Sequence, residues 1–443
     1  MARTIKIKKG LDIPLAGRAE DTPVADTRSE WYAIMPDDFP GYTWKAAVKA
    51  GDSVKAGSAL FSAKEDPEMC LTSPCAGTVS EIHRGERRKI QFISVHREGK
   101  QEAVSFKCDA KPESIIYALK QSGLFAMMRQ RPFDIVPISM TPRDIFVTAF
   151  DTAPLAPEFN SGLIGKYLEA GLEALAKLSS GKVYLSVRAG SGLNSKAAET
   201  VEFEGPHPAG NVGVQIEAIN PVNKGETVWT LNAMTAARIG RLVIEGVADY
   251  SARVALTGPD VTNPGFVDTL IGVSLKSLLE GRLRNDGTHL RIISGNVLTG
   301  WRVNPQEGWL RYPYRQISVI DEGDQADEFM GWASMNPGKY SVKKTFPAFL
   351  RGLKKPFNFD ARIKGGHRAM ILSGEYDKVF PFDIYPEYLI KAIMAKDIEK
   401  MEQLGIYEVA PEDFALPEFV DTSKIELQKI VREGLDYLRK ETM

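Results

Sequence analysis

The chain has 443 residues, 43% of them hydrophobic and 26% charged, and its 56 Lys and Arg residues nearly balance 57 Asp and Glu residues. This composition is typical of an ordered globular protein of about three domains, and the net charge of -1 argues against nucleic acid as a partner. The chain has only three cysteines, Cys70, Cys75 and Cys108, and no two of them form a C-x-x-C pair. This excludes an iron–sulfur cluster or a four-cysteine zinc site built by this chain alone. So few cysteines also argue against a secreted disulfide scaffold.

Neither a secretory signal nor a membrane span is expected. No apolar stretch of about 7 or more residues follows the basic N-terminal segment, as a signal peptide requires. The apolar region Leu242–Leu256 is interrupted by Glu245, Asp249 and Arg253, whereas a spanning helix needs about 18 apolar residues in succession. We therefore expect a soluble or peripheral protein.

Two similar turn-and-strand segments, Val48–Leu60 and Leu71–Ile82, divide the first part of the chain. Two such halves resemble the biotinyl or lipoyl barrel-sandwich hybrid, and we assign residues 1–110 to this fold. Lys64 lies near the hairpin Glu65–Cys70 but lacks the flanking methionines of a carrier lysine. We therefore interpret the domain as a structural module.

Residues 111–250 are predicted to form a Rossmann-like α/β domain. An amphipathic helix begins near Pro112, and a strand at Ile145–Phe150 precedes a helix and a second strand at Val183–Val187. This order is typical of a parallel α/β unit. Gly190–Ser195 follows the second strand but lacks the third glycine of a dinucleotide fingerprint, so we expect an ordinary turn.

The remaining chain divides into a β-rich and a helical part. Turns at Gly258 and Pro264, followed by strand Leu290–Ile293, resemble a β-grasp domain of the soluble-ligand-binding (SLBB) type, assigned to residues 251–345. Residues 346–443 are expected to form a C-terminal helical region, in which Ser423–Glu426 has the capping-box pattern that starts a helix. The predicted fold class is thus a multidomain α/β protein.

His207 is the first candidate site residue. Pro206 and Pro208 stiffen the loop Gly205–Gly210, which has Walker-A glycine spacing but lacks the Lys and the Ser or Thr of a P-loop. The loop can hold the imidazole for a functional hydrogen bond, with a local structural role as the alternative.

Other chemistry has little support in the sequence. The histidines lack metal-binding spacing and no G-x-S-x-G elbow is present, so we assign no metal site and no catalytic triad. Two basic clusters, Arg84–Lys89 and the group Arg351, Lys354 and Lys355, are interpreted as solvated faces. Contact with acidic lipid headgroups or a partner is the alternative for both clusters.

Several motifs spread along the chain resemble those of one known family. They are I-K-I-K-K-G-L-D-I-P-L-A-G from Ile5, I-F-V-T-A-F-D-T-A-P-L-A from Ile145, G-P-H-P-A-G from Gly205, R-I-I-S-G from Arg291 and Y-D-K-V-F-P-F-D-I from Tyr376. Taken together they are similar to the A subunits of the Na⁺-translocating NADH:quinone reductase, almost from end to end.

This resemblance implies a peripheral subunit on the cytoplasmic face of the bacterial inner membrane. The complex has five other subunits, among which the integral-membrane B subunit is the chief expected contact, and it reduces ubiquinone or menaquinone with NADH while exporting Na⁺. The FMN-binding loop of the related complex I subunit is missing here. We therefore expect no tightly bound cofactor and no complete catalytic site in this chain, with flavins and iron–sulfur centres in the partner subunits.

The resemblance also implies an association with quinone, for which the segment Arg129–Phe133 is the candidate. A quinone head needs hydrogen-bond donors for its carbonyl groups and apolar walls, because reduction concentrates negative charge on oxygen. We expect Arg129, Arg131, Pro132 and Phe133 to face the quinone or the membrane partner, with Phe133 as a wall and an arginine as donor. Alternatively, Arg131 caps the preceding helix and Phe133 fills the core.

Two other functions remain open at this point. A free-standing protein with a barrel-sandwich hybrid domain and a β-grasp domain could recognise a soluble ligand. A flavoprotein could instead retain NADH binding on its α/β unit, outside any membrane complex.

Overall fold

The computed structural model describes residues 3–20, 29–159, 162–326, 329–330, 335–343, 346–347, 352 and 355–442, without the side chains of residues 285 and 286. Strands dominate its first hundred residues: β1 (Arg3–Lys6), β2 (Trp31–Ile34), β3 (Trp44–Ala46), β4 (Ser53–Val54), β5 (Ala59–Ala63), β6 (Cys70–Thr72), β7 (Gly77–Arg84) and β8 (Ile90–Arg97). A four-stranded sheet in the order β2-β8-β7-β4 and a three-stranded sheet in the order β3-β5-β6 build the N-terminal domain.

The second region alternates helices with strands. Its elements are α1 (Pro112–Gln121), β9 (Arg129–Arg131), β10 (Ile145–Thr148), α2 (Gly162–Ala176), β11 (Val183–Arg188), β12 (Glu199–Glu204), α3 (Val212–Ile219), β13 (Val228–Asn232) and α4 (Ala233–Glu245). The six-stranded sheet has the order β1-β12-β11-β10-β13-β9, in which only β9 runs antiparallel to its neighbour.

Both faces of this sheet are buried. Ile145 and Val147 of β10 join the main hydrophobic core, which also contains the inner faces of α2 and α4, while Phe146 packs on the α3 side. A strand covered on both faces reads as an unbroken apolar run, as I-F-V-T-A-F does. The backbones of helices α2 and α4 are in contact at Gly171. A Cβ at this position would lie only 1.8 Å from the carbonyl oxygen of Ala236, so a larger residue does not fit there.

The order of the sheet creates a crevice beside β10. From β10 the chain proceeds outward through β11 and β12, and it then returns to place β13 on the other side of β10. The loops that leave β10 and β13 therefore diverge. In open α/β sheets, ligands bind at such a switch point, outside the carboxyl ends of the strands.

A second sheet forms the β-grasp-like region, and helices form most of the last region. The elements are β14 (Ser251–Thr257), β15 (Gly265–Leu270), α5 (Leu275–Leu279), β16 (Leu290–Ser294), β17 (Trp301–Arg302), β18 (Gln316–Asp321), α6 (Pro386–Met394), α7 (Ile398–Gln403), α8 (Ala415–Val420) and α9 (Leu427–Thr442). The sheet order is β15-β14-β18-β16-β17. The C-terminal helices enclose a separate hydrophobic core. Among the described helices, none combines the length and apolarity needed to span a bilayer.

Three local assignments differ from the sequence-based ones. β1 belongs to the α/β sheet and not to the N-terminal barrel, since it pairs with β12. Pro132 predicts a loop at Arg129–Phe133, but this segment begins with strand β9, which pairs with β13 before Pro132. Ser423 does not start the last helix: α9 begins at Leu427, and the Ser423 hydroxyl donates to the carbonyl oxygen of Ala369 at 3.0 Å.

Candidate functional site

A cleft with a volume of about 1490 Å³ lies where the four regions of the chain meet. It opens at the switch point, because residues at the carboxyl ends of β10 and β13 line it. Its other walls come from the N-terminal domain, from the segment that leads into β18, and from α9 with the turn at residues 411–412. This volume exceeds the roughly 300–1,000 Å³ of most small-molecule pockets, so the cleft can hold a ring system with part of a chain.

Aromatic rings form much of the cleft wall. Phe39 of the N-terminal domain stacks on Tyr312, with the ring centroids 5.2 Å apart. Phe150 and Phe159 contribute from the α/β domain, and Tyr314 contributes from the segment before β18. The cleft thus offers flat apolar surfaces supplied by three different regions.

Arg129 is fixed at the cleft by uncharged acceptors. Its Nη1 donates to the carbonyl oxygens of Ala126 at 3.0 Å and Met128 at 3.1 Å, and its Nη2 donates to that of Asp38 at 2.6 Å. The guanidinium also lies 5.7 Å from the centre of the Tyr312 ring. Carbonyl groups hold the side chain without neutralising it, so its positive charge remains effective inside the cleft.

Arg131 also lines the cleft, but it is held by carboxylates. Its Nη1 lies 3.2 Å from Oδ2 of the buried Asp413, and its Nε lies 3.9 Å from Oδ1 of Asp134. Burial alone would lower the pKa of the Arg131 guanidinium, but these two carboxylates outweigh that effect and raise it. The Arg131 guanidinium is therefore charged, and its contact with Asp413 joins β9 to the C-terminal region.

Arg315 is a third cation at the cleft, and it was not among the residues predicted from the sequence. Its guanidinium lies 3.6 Å from the centre of the Phe159 ring and donates to the carbonyl oxygens of Pro157 at 3.0 Å and Glu158 at 3.4 Å. Burial lowers the pKa of Arg315 to about 10. The side chain is still charged at neutral pH, and its acceptors are uncharged carbonyl groups.

Glu412 brings a carboxyl group to the same space. Its side chain lines the cleft and remains exposed. Desolvation by the cleft walls, reinforced by the neighbouring Asp413 and opposed by Arg131, raises the pKa of Glu412 above that of a free glutamate.

The other predicted site residues lie elsewhere. Phe133 is buried in the C-terminal hydrophobic core with Ile135 and Val214, and neither Phe133 nor Pro132 is among the residues that line the cleft. Arg131 lies in a strand and does not cap a helix. The structure thus brings Arg129 and Arg131 together at the cleft and separates Phe133 from them.

His207 lies in the packed loop before α3. Its Nδ1 shares a 3.1 Å hydrogen bond with Oγ1 of Thr152, and its backbone N–H donates to Oδ1 of Asp12 at 2.9 Å. Burial lowers the pKa of His207 to about 4, despite the opposing influence of Asp151 and Asp12. The imidazole is therefore neutral, and it is not among the residues that line the cleft.

A signal for the missed arginine exists in the sequence. The segment Tyr312-Pro313-Tyr314-Arg315 combines arginine, proline and aromatic residues, as Arg129–Phe133 does. A search of the whole chain for arginine close to proline and aromatic residues therefore also finds Arg315. Glu412 has no comparable signal, because its surroundings come from segments that are distant in sequence.

The basic cluster of the N-terminal domain also reaches the cleft, through Arg84, Arg88 and Lys89. In the other basic cluster, Arg351 and Lys354 lie outside the described residues. Within the described part of the chain, no group of three or more His, Cys, Asp or Glu side chains is arranged to hold a metal ion.

Comparisons with known proteins agree with this architecture. Residues 5–98 match the family described as "NqrA N-terminal barrel-sandwich hybrid domain", residues 110–248 match "NqrA second alpha/beta domain", and residues 253–304 match "NQRA C-terminal domain". These matches confirm the predicted fold class.

Relatives that align over their full length are named as the A subunit of the Na(+)-translocating NADH-quinone reductase. The relatives from Pasteurella multocida, Saccharophagus degradans and Klebsiella pneumoniae are 36%, 38% and 37% identical to the chain, and each alignment covers 99% of this chain and 100% of the relative. Nothing in these matches supports a free-standing ligand-binding or flavin-binding protein. The chain belongs to the family of A subunits of the Na⁺-translocating NADH-quinone reductase.

Proposed function

We propose that this chain acts as the A subunit of a Na⁺-translocating NADH-quinone reductase and that its cleft receives the head of the quinone. The protein lies on the cytoplasmic face of the inner membrane and docks chiefly on the integral-membrane B subunit. Flavins and iron–sulfur centres in the partner subunits carry the electrons. Family membership supports the role in the complex, and the cleft at the switch point supports the quinone site.

The cleft suits an aromatic ring with two polar ends. Phe39, Tyr312 and Phe159 supply flat apolar surfaces. Two residues with hydroxyl groups also line the cleft, Thr148 at the end of β10 and Thr230 within β13. Small-molecule sites generally combine mostly apolar walls with a few converging polar groups. Ubiquinone and menaquinone both have this character.

The fixed arginines favour the reduced forms of a quinone. Each electron added to a quinone increases the negative charge on its oxygens, and cations that are already in place stabilise that charge without reorganisation. Arg129 and Arg315 are held by carbonyl groups, so their charges are available to a ligand. Arg131 contributes less, because Asp413 and Asp134 share its charge.

The effect of Arg315 on quinone affinity tests this proposal. In the full-length chain, decylubiquinone binding can be followed through the fluorescence of Trp44 and Trp301, which line the cleft. We expect Arg315→Gln to weaken binding about tenfold, equivalent to about 1.4 kcal/mol, because a cation near the quinone oxygens is lost. Arg315→Lys should retain part of the affinity.

Arg368→Gln is the matched control, since Arg368 is exposed and lies outside the cleft. This control should bind as the wild-type chain does. Equal affinities for Arg315→Gln, Arg368→Gln and the wild type would contradict a quinone site in the cleft.

A further inference from the structure

A second and much smaller space, which we call the inner cavity, adjoins the cleft. Its volume is about 20 Å³, which is enough for one water molecule or one monatomic ion and too little for a phosphate group. Helix α4, strand β14 and the segment that leads into β18 contribute most of its lining. The residues shared by the linings of the two spaces are Asn232, Tyr312, Pro313, Tyr314 and Arg315.

Positive charge dominates the lining of the inner cavity. Four of the residues that line it are arginines, namely Arg238, Arg253, Arg311 and Arg315. Among the described residues, the lining contains no Asp or Glu. Walls that carry one sign of charge and exclude water attract ions of the opposite sign, so this space favours an anion.

Three of the four arginines have partners of their own. The guanidinium of Arg311 lies 2.5 Å from Oδ1 of Asp38. Arg315 is held by backbone carbonyl groups, and Arg253 lies 4.7 Å from the centre of the Phe266 ring. The remaining arginine, Arg238, is therefore the one to examine for an incomplete set of acceptors.

Arg238 is buried on α4 and has few acceptors. Only 5% of the residue is exposed. Its Nη2 donates to the carbonyl oxygen of Ser251 at 2.6 Å, and its Nη1 lies 3.8 Å from the sulfur of Met127, which is a weak acceptor. Its Nε is buried and has no hydrogen-bond partner within the described residues. Two acceptors for the five N–H groups of a guanidinium leave capacity for a further ligand.

One carboxylate, Asp249, acts on Arg238 but is engaged elsewhere. Its Oδ2 pairs with Arg241, and its Oδ1 accepts from the Ser251 N–H at 2.7 Å. Burial outweighs the influence of Asp249 and lowers the pKa of Arg238, although an arginine still keeps its proton at neutral pH. A buried charge is costly without a counter-ion, so binding of an anion beside Arg238 would stabilise the fold.

We propose that the inner cavity binds one monovalent anion of the size of chloride, with the Arg238 guanidinium and the Asn232 side-chain amide as its donors. Oδ1 of Asn232 accepts from the Thr235 N–H at 2.9 Å, which directs the amide oxygen to the backbone and leaves the NH₂ group to donate. A water molecule fits the same volume but brings no charge to compensate Arg238. This inference does not depend on quinone binding in the cleft.

The anion should stabilise the folded chain, because its donors come together only in the tertiary structure. A ligand that binds the folded state alone shifts the unfolding equilibrium according to its concentration and affinity. The segment Tyr312–Arg315 separates the inner cavity from the cleft. Binding of the anion therefore supports one wall of the cleft as well as α4.

Urea unfolding of the full-length chain in different sodium salts tests the inference. We compare chloride with gluconate, which is too large for the cavity, both at about 150 mM so that ionic strength is constant. We expect the unfolding equilibrium constant to be about tenfold lower in chloride, as for an ion with a dissociation constant of about 15 mM. Arg238→Met removes the charged donor, so its stability should be the same in both salts.

Arg368→Met is the matched control, since Arg368 is exposed and lies outside the inner cavity. It should respond to chloride as the wild-type chain does. An equal response of Arg238→Met and the wild type would overturn the inference, because the salt effect would then arise elsewhere.

Anomalous scattering from crystals of the wild-type chain equilibrated with sodium bromide gives a second test that needs no variant. We expect a bromide peak in the inner cavity, beside the Arg238 guanidinium. Density for water without an anomalous signal at that position would overturn the inference, whatever the outcome of the quinone-binding experiments.

Discussion

The loop around His207 and the strand β9, which ends just before Pro132, each bury a basic side chain, but they do so in opposite ways. The His207 imidazole bonds to the neutral Thr152 hydroxyl, and burial keeps it uncharged despite the opposing influence of Asp151 and Asp12. Arg131 is equally buried but faces two carboxylates, and these keep it ionised beside the cleft. Burial alone therefore does not decide the charge of a group. The loop around His207 contributes packing, whereas Arg131 places an ion pair beside the cleft.

Removing the charge of Arg131 should reduce the stability of the protein more than replacing His207 does. Arg131→Met leaves Asp413 buried without its cation, and breaking such a pair costs about 3–5 kcal/mol. Chemical unfolding of the full-length chain measures this loss. Arg238 is the matched control: it is buried too, but it donates to the carbonyl oxygen of Ser251 and contacts the sulfur of Met127, so Arg238→Met breaks no such carboxylate pair.

Arg238→Met should therefore cost clearly less than Arg131→Met. If the two variants lost the same free energy of unfolding, the ion pair with Asp413 would not explain the position of Arg131.

His207 should make a smaller contribution that depends on pH. Because the folded-state pKa of His207 lies near 4, below the unfolded value of about 6.5, its contribution is present above pH 6.5 and is lost as the pH falls towards 4. The loss amounts to about 3 kcal/mol over that window. His207→Gln should reduce the difference in unfolding free energy between pH 7 and pH 4 by a similar amount.

The comparison would fail if His207→Gln and the wild-type chain lost stability in parallel over this range. A pH dependence that persisted in the variant would have to come from the carboxyl groups alone. The imidazole would then be charged, or exposed, in the folded protein.

Local patterns were enough to predict much of the fold. The apolar run at Ile145 and the strand at Val183 are confirmed as β10 and β11, because a strand buried on both faces is visible in its own residues. The wrong assignments involve partners far away in the chain. β1 pairs with Glu199–Glu204, and Ser423 bonds to Ala369. No periodicity within β1 or around Ser423 encodes those pairings.

The site was less predictable than the fold for the same physical reason. Arg129 and Arg131 stand in a local pattern, and the similar pattern at Tyr312 leads to Arg315. Phe133 comes directly after Pro132 but is buried in the C-terminal core. Most residues of that core lie more than 200 positions after Phe133 in the chain. The charges that act on Glu412 come in part from two segments that are distant in the chain, at Arg131–Asp134 and at Asp151, so only the tertiary structure shows them.

Photolabelling of the assembled reductase with a quinone analogue tests the central claim most directly. We expect label on peptides of this chain that line the cleft, namely those containing residues 36–46, 157–159 or 312–316, and we expect excess decylubiquinone to prevent it. Label confined to other subunits, or to this chain only outside the cleft, would contradict the account.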